Sequence, residues 1–168
     1  MLKIRKLSPS SERAFTLIET LVVVAILLIF VGLAMPRVGN AWVELRLISE
    51  ARHAHALAQA TRQYAIMRGA TAQISFANLT NQPAAILVTD HSGTLPVPVF
   101  ETHMLPIGFR FVYVGHQPKI VAFNSRGEAD WPFTSSNAPY RVILRAPNGQ
   151  ERHLLFHRAG RIMLQKPQ

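Results

Sequence analysis

The chain contains no cysteine. No disulfide, thiolate zinc site or thiol nucleophile is open to it, and if it reaches an oxidising compartment it must hold together by packing alone. Signatures of the common enzyme classes are missing as well: there is no GxSxG elbow, HExxH pair, glycine-rich phosphate loop or duplicated carboxylate motif. Asp90-His91-Ser92 has the composition of a triad, but triads are assembled by geometry from separated segments, and Asp-His-Ser-Gly ahead of Thr94 reads as a turn. Seven histidines invite a metal reading that their spacing opposes. His53 and His55, two apart on a helix, point about 200° away from each other. His153 and His157 on a strand would stand about 13 Å apart. The expectation is a protein that is not an enzyme and takes no metal or cofactor.

Negative charge is also scarce, with nine acidic residues against eighteen Lys and Arg, for a formal charge of +9. Lys3, Arg5, Lys6, Arg13 and Glu12 all precede Phe15, so the chain from Phe15 onward keeps fourteen basic and eight acidic residues, a balance of +6. That excess suits an acidic protein surface, anionic lipid or nucleic acid without choosing between them. Of the 168 residues, 21 form one apolar run. The remainder is enough for one modest core, hence one soluble domain.

The run extends from Phe15 to Met35. As a helix it covers roughly 31 Å, close to the hydrocarbon thickness of a bilayer. Basic residues crowd its amino side, whereas Arg37, Glu44 and Arg46 follow it, so the positive-inside bias puts the amino end in the cytoplasm. From Leu21 to Met35 it is apolar on every face, which opposes a buried core helix with a single greasy stripe. A secretory signal peptide with its apolar stretch at Leu21–Val31 and cleavage after Ala34 is one rival reading, and an uncleaved anchor is another. Neither explains Glu19. A carboxylate at the centre of a membrane helix costs about 2.5 to 3.5 kcal/mol unless something pairs with it.

The stretch Arg13-Ala14-Phe15-Thr16-Leu17-Ile18-Glu19-Thr20-Leu21-Val22-Val23-Val24-Ala25-Ile26-Leu27-Leu28 resembles the processing and assembly signal of type IV pilins and type II secretion pseudopilins. The resemblance implies that a prepilin peptidase cuts between Ala14 and Phe15 and methylates the new amine of Phe15. Glu19 is then left to recruit a neighbouring subunit. Ala14 stands where the family usually has glycine. An ammonium and a carboxylate a few ångströms apart in a low-dielectric medium lower the cost of burying each other. Such a pair also sets register, because breaking a buried pair costs about 3 to 5 kcal/mol. Pro36 lacks a backbone donor and is expected to kink or loosen the helix. Its distance from Phe15 is similar to that of the helix-loosening proline of pilins. The absence of the disulfide found in many major pilins leans toward a pseudopilin or minor pilin.

Beyond Pro36 the helical pattern resumes to Met67, with Leu47, Ala51, Ala54, Ala58, Thr61 and Ala65 recurring at steps of four and three. This is a small-residue stripe that lets a sheet approach closely. It is alanine-rich rather than leucine-rich, unlike a coiled-coil seam. Gly39-Asn40 is a weak point early in this helix, and Gly69 suits its stop. From Ala70 the texture changes to short runs rich in Val, Ile and Phe. Candidate strands are Ala72–Phe76, Ala85–Thr89, Val97–Phe100, Phe109–Val114, Ile120–Phe123, Tyr140–Leu144, His153–Phe156 and Arg161–Leu164. Pro147-Asn148-Gly149 marks a hairpin.

Three pieces of this head, Ala65-Ile66-Met67-Arg68-Gly69, Ile120-Val121-Ala122-Phe123-Asn124-Ser125-Arg126-Gly127 and Gly160-Arg161-Ile162, resemble in order the segments of the GspH/FimT branch. The carboxyl-terminal region is basic: Arg141, Arg145, Arg152, Arg158, Arg161 and Lys166 face only Glu151. Some FimT-type minor pilins bind DNA through a basic strand after a Gly-Arg pair, but Met163 stands where their second arginine would be. A solvated basic sheet edge that discourages strand addition is the plainer alternative.

The sequence therefore predicts an α+β protein of pilin type. A leader at 1–14 is followed by a transmembrane helix half at 15–35, an amphipathic periplasmic half at 36–69 and a β-rich head at 70–168. The expected function is that of a structural minor pseudopilin of a type II secretion system. Its partners would be the prepilin peptidase, other pseudopilins in a filament, and the bacterial inner membrane. The alternative is a minor type IV pilin that binds nucleic acid through Arg158, Arg161 and Lys166.

Overall fold

The computed structural model describes residues 16–112, 119–131 and 139–167, with the side chains of 33–38 and of Lys119 outside the described set. Ala14 and Phe15 lie outside it as well. The described elements are one helix, α1 (Leu17–Arg68), and ten strands: β1 (Ala72–Ala77), β2 (Ala85–Asp90), β3 (Val97–Pro98), β4 (His103–Met104), β5 (Arg110–Val112), β6 (Lys119–Phe123), β7 (Ala129–Asp130), β8 (Tyr140–Arg145), β9 (Glu151–Phe156) and β10 (Ile162–Gln165). By contacts the chain divides into two compact units, 1–39 and 40–168. The boundary falls at the Gly39-Asn40 step. The helix assignment passes through Pro36, and the expected kink there falls among residues whose side chains are not described.

Within the second unit the alanine-rich stripe is fully buried: Leu47, Ala51, Ala54, Ala58, Thr61 and Ala65 are each 0% exposed. Thr61 is accommodated because its hydroxyl donates back to the Leu57 carbonyl at 2.7 Å. Small side chains bring the helix backbone close to the strands, so the larger residues filling the core come from the sheets. The helix stops where Gly69 adopts φ +64°, with Ala70 N–H bonded to the Ala65 carbonyl at 3.1 Å, a left-handed carboxyl-terminal cap.

Among the described residues all strand pairing is antiparallel and forms two sheets. The larger runs β3-β2-β1-β6-β7 with β4 also on β2, and the smaller runs β10-β9-β8-β5. β1 alternates buried and half-buried residues, with Ala72, Ile74 and Phe76 inward, as a strand with one face on a core must. Phe76 meets Phe111 edge-on at 5.2 Å and Phe156 at 6.0 Å, and Phe123 meets Phe156 at 6.4 Å. These rings join the two sheets in one core with the helix stripe.

The expected strands are present with shifted ends, and two short ones, β4 and β7, were not anticipated. Both have only two residues, too few to show alternation, and exist because β2 and β6 offer edges to pair with. Phe109 is excluded from the strand expected to begin there, because its N–H closes a turn onto the Pro106 carbonyl at 3.1 Å. Residues 113–114 of that expected strand lie outside the described set. The Pro147-Asn148-Gly149 hairpin is present, with Gly149 at φ +84° and its N–H on the Ala146 carbonyl at 3.0 Å.

Candidate assembly site and the glycine clamp

At the amino end of α1, Thr16 caps the first turn. Its Oγ1 accepts the Glu19 N–H at 3.3 Å and its carbonyl accepts the same N–H at 3.0 Å. Thr-x-x-Glu is the sequence of a capping box, and an acidic side chain in the first turn also complements the helix dipole. Glu19 is exposed. So are the large apolar residues that follow: Leu17, Ile18 and those from Leu21 to Val31 are each at least 48% exposed, on all faces of the helix. A helix this apolar on every face needs a bilayer or other helices around it. Among the described residues no helix is long and apolar enough to cross a membrane. The apolar run of the sequence starts before them and ends within 33–38.

At the other end of the chain, the three basic residues singled out do not form one cluster. The Arg158 guanidinium lies over the Trp131 ring at 5.0 Å, with Nη1 3.7 Å from Asp130 Oδ1. Arg161 is exposed and stands at the start of β10, where it lines a cleft with Gln59, Arg62 and Gln63. Lys166 is exposed past the end of β10, near Arg141 and His153. Five residues of extended chain separate Arg161 from Lys166, roughly 16 Å.

Sequence reasoning missed the role of Arg62. Its Nε donates to the Gly127 carbonyl at 2.9 Å. Gly127 lies in the β6–β7 turn and Gly160 in the β9–β10 turn, at φ +76° and +78°. A Cβ on Gly160 would stand 1.9 Å from the Gly127 carbonyl oxygen and 2.6 Å from Arg62 Nε. Beside this contact, Ala129 N–H bonds the Arg158 carbonyl at 2.9 Å. The two head segments noted in the sequence, one ending at Gly127 and one opening at Gly160, therefore meet. Their glycines allow a turn from each sheet to touch backbone to backbone while the helix holds one of them through Arg62. The signal available in the sequence was the position of Arg62 directly after the buried stripe residue Thr61.

Further polar ties connect the helix to the strands. Tyr64 OH donates to Asp90 Oδ2 at 2.8 Å, and His55 Nε2 lies 3.3 Å from the Ile162 carbonyl. Arg152, only 8% exposed, reaches Glu44 Oε1 with Nη2 at 3.3 Å and the Glu151 carbonyl with Nη1 at 2.9 Å. Asp90 Oδ1 accepts the Ser92 N–H at 2.7 Å, so Asp90-His91-Ser92 is a turn in which the carboxylate faces Tyr64 and Ser92. His53 stacks on His103 at 4.1 Å, and His103 Nε2 lies 2.8 Å from Glu50 Oε2. Among the described residues no group of three or more His, Asp or Glu could hold a metal ion.

Two carboxyls are held below their ordinary values. Asp90 is lowered chiefly by the Ser92 backbone N–H and then by the Tyr64 hydroxyl. Glu151 is lowered chiefly by its hydrogen bond from Arg145, whose Nε is 2.7 Å from Oε1. Lowered native values mean that the unfolded chain binds protons first as the pH drops. The stability these groups contribute is complete above the ordinary value, 4.5 for Glu151, and is lost as the pH falls through the native one. Urea unfolding of the 40–168 unit at a series of pH values should show stability declining below that point. Glu151→Gln should be less stable at neutral pH and decline less on acidification. An unchanged acid limb in this variant would remove Glu151 from the account.

Comparison with known proteins agrees with both halves of the molecule. Residues 9–35 match a family model described as a prokaryotic N-terminal methylation motif. No curated protein sequence matches the chain. Among solved structures, the type IV minor pilin FimU of Pseudomonas aeruginosa superposes with a TM-score of 0.57 at 18% identity, covering 74% of this chain and 95% of FimU. The minor pseudopilin EpsH from the type 2 secretion system of Vibrio cholerae superposes with a TM-score of 0.54 at 12% identity, covering 73% of this chain and 98% of EpsH. At these identities the likeness establishes the fold. The fold is like that of minor pilins and pseudopilins, and the amino end carries the methylation motif.

Proposed function

We propose that this protein is a structural, non-catalytic minor pseudopilin of a type II secretion system. A prepilin peptidase removes residues 1–14, Phe15 becomes the methylated amino terminus, and the Phe15–Met35 segment holds the subunit in the inner membrane with its head in the periplasm. Assembly then transfers that segment from lipid to the core of a short filament. The observation that carries this reading is the conjunction, inside the matched motif, of Glu19 with a helix exposed on every apolar face. A carboxylate so placed is favoured only when a counter-charge meets it, and the new Phe15 amine of a neighbouring subunit is that counter-charge.

The test is the mature amino terminus. Mass spectrometry of membrane-extracted protein should find N-methylated Phe15 as the first residue, despite Ala14 before the cut. An intact Met1, or a start at Met35 after signal-peptide cleavage, overturns the proposal. A type IV pilus subunit that binds DNA is the second reading, favoured by the exposure of Arg161 and Lys166 at the two ends of β10. It predicts steeply salt-dependent DNA retention by the head, lost in Arg158→Ala/Arg161→Ala, whereas the secretion reading predicts none.

A further inference from the structure

The 40–168 unit presents an apolar face that neither the glycine clamp nor Glu19 accounts for. Pro106, Ile107, Gly108 and Phe109 form the turn closed by Phe109 N–H on the Pro106 carbonyl. Gly108 has φ +87°, as the third position of a type II turn demands. A Cβ on Gly108 would stand 2.7 Å from Pro147 Cγ, so the turn is seated directly on the β8–β9 hairpin. Its second residue, Ile107, is thereby held 89% exposed. Across an open groove of about 560 Å³ stand Trp42 and Arg46 of the helix, with the indole 70% exposed. Among the described residues no acidic one lines this groove.

We infer that this face rests on the surface of a phospholipid bilayer, with Trp42 and Ile107 entering the apolar boundary and Arg46 meeting lipid phosphate. The inference rests on the proposed membrane passage of Phe15–Met35 and extends it to the head. Two observations favour lipid over a protein partner. An indole beside a long-stemmed cation is the chemistry of a membrane–water boundary, where rings sit at headgroup level and guanidinium groups reach for water and phosphate. The lining carries positive charge alone, complementary to anionic lipid. The seat would hold the head against the membrane until assembly lifts it away.

The full chain, reconstituted in vesicles of phosphatidylglycerol and phosphatidylcholine, tests this directly, because one of its two tryptophans is an internal reference. Trp131 is 3% exposed in the head core and should be untouched by brominated acyl chains. With brominated phosphatidylcholine, about half of the wild-type emission should be lost, because one of two rings lies in the boundary. Trp42→Phe should show no loss, and Ile107→Asp should relieve most of it while Trp131 emission reports an intact fold. Alkaline carbonate extraction of the same vesicles separates the two levels of the proposal. A chain that resists extraction yet is not quenched overturns the seat and leaves the membrane passage standing, whereas a chain that is extracted overturns both. In this cysteine-free protein an Ile107→Cys variant that forms disulfide-linked dimers without lipid quenching assigns the face to a second copy and overturns the lipid assignment.

Discussion

Glu19→Ala should leave the protein processed and membrane-bound but all but absent from filaments. The incoming Phe15 ammonium then has no carboxylate to meet, and an uncompensated charge in a dry helix bundle costs about 3 to 5 kcal/mol. On the scale of about 1.4 kcal/mol per tenfold, the ratio of filament-bound to membrane-bound subunit should drop by a factor on the order of a hundred to a thousand. A competing explanation for Glu19 is visible in the structure, because Thr16 and Glu19 have the spacing of a capping box and the Glu19 N–H bonds Thr16 Oγ1. The two roles separate cleanly. If capping is what Glu19 provides, Thr16→Ala removes the same stabilisation, about 1 kcal/mol, and the two variants should behave alike. If Glu19 answers an amine, Thr16→Ala assembles nearly normally and Glu19→Ala does not. Quantitative blots of sheared filaments against membranes decide it, and wild-type incorporation of Glu19→Ala sinks the mechanism.

Gly160→Ala should be the most destabilising single methyl that can be added to the head. The residue sits at φ +78°, and the new carbon would lie 1.9 Å from the Gly127 carbonyl oxygen, a backbone atom that cannot rotate away. The left-handed conformation costs about 1 to 2 kcal/mol for a residue with a Cβ, and forced overpacking adds typically 1 to 3 kcal/mol. The same methyl would press on Arg62 Nε and loosen its bond to Gly127. A melting temperature lower by on the order of 10 °C follows for a unit of this size. Gly149→Ala is the control. It has a similar φ of +84° but nothing within 4 Å of the added carbon, so it carries conformational strain alone and should lose less than half as much. Equal losses in thermal melts of the two variants would mean that the contact between the turns of the two sheets contributes nothing.

What could be read in advance was whatever a residue's own neighbours in sequence dictate. The stripe from Leu47 to Ala65 is a period, and all six of its members proved buried. The helix stop at Gly69, the β8–β9 hairpin and most strand cores are equally local, because turn chemistry and alternation act over a few residues. The amino-terminal motif is local too, and its match over 9–35 rests on consecutive residues. Arg158, Arg161 and Lys166, by contrast, looked like one basic group, and the fold separates them. Arg158 is drawn onto Trp131 and toward Asp130, and Arg161 and Lys166 go to opposite ends of β10.

By itself the sequence determined a methylation-type amino end, a long helix with a small-residue face and a strand-rich head, because charge placement and periodicity are properties of the chain alone. Only the tertiary structure decided that there are two sheets rather than one, that β4 and β7 exist, and that Gly127, Gly160 and Arg62 meet although 33 to 98 positions separate them. It also decided that Ile107 is held exposed opposite Trp42. Such contacts depend on which backbones come together when the core closes, and no span of consecutive residues encodes that.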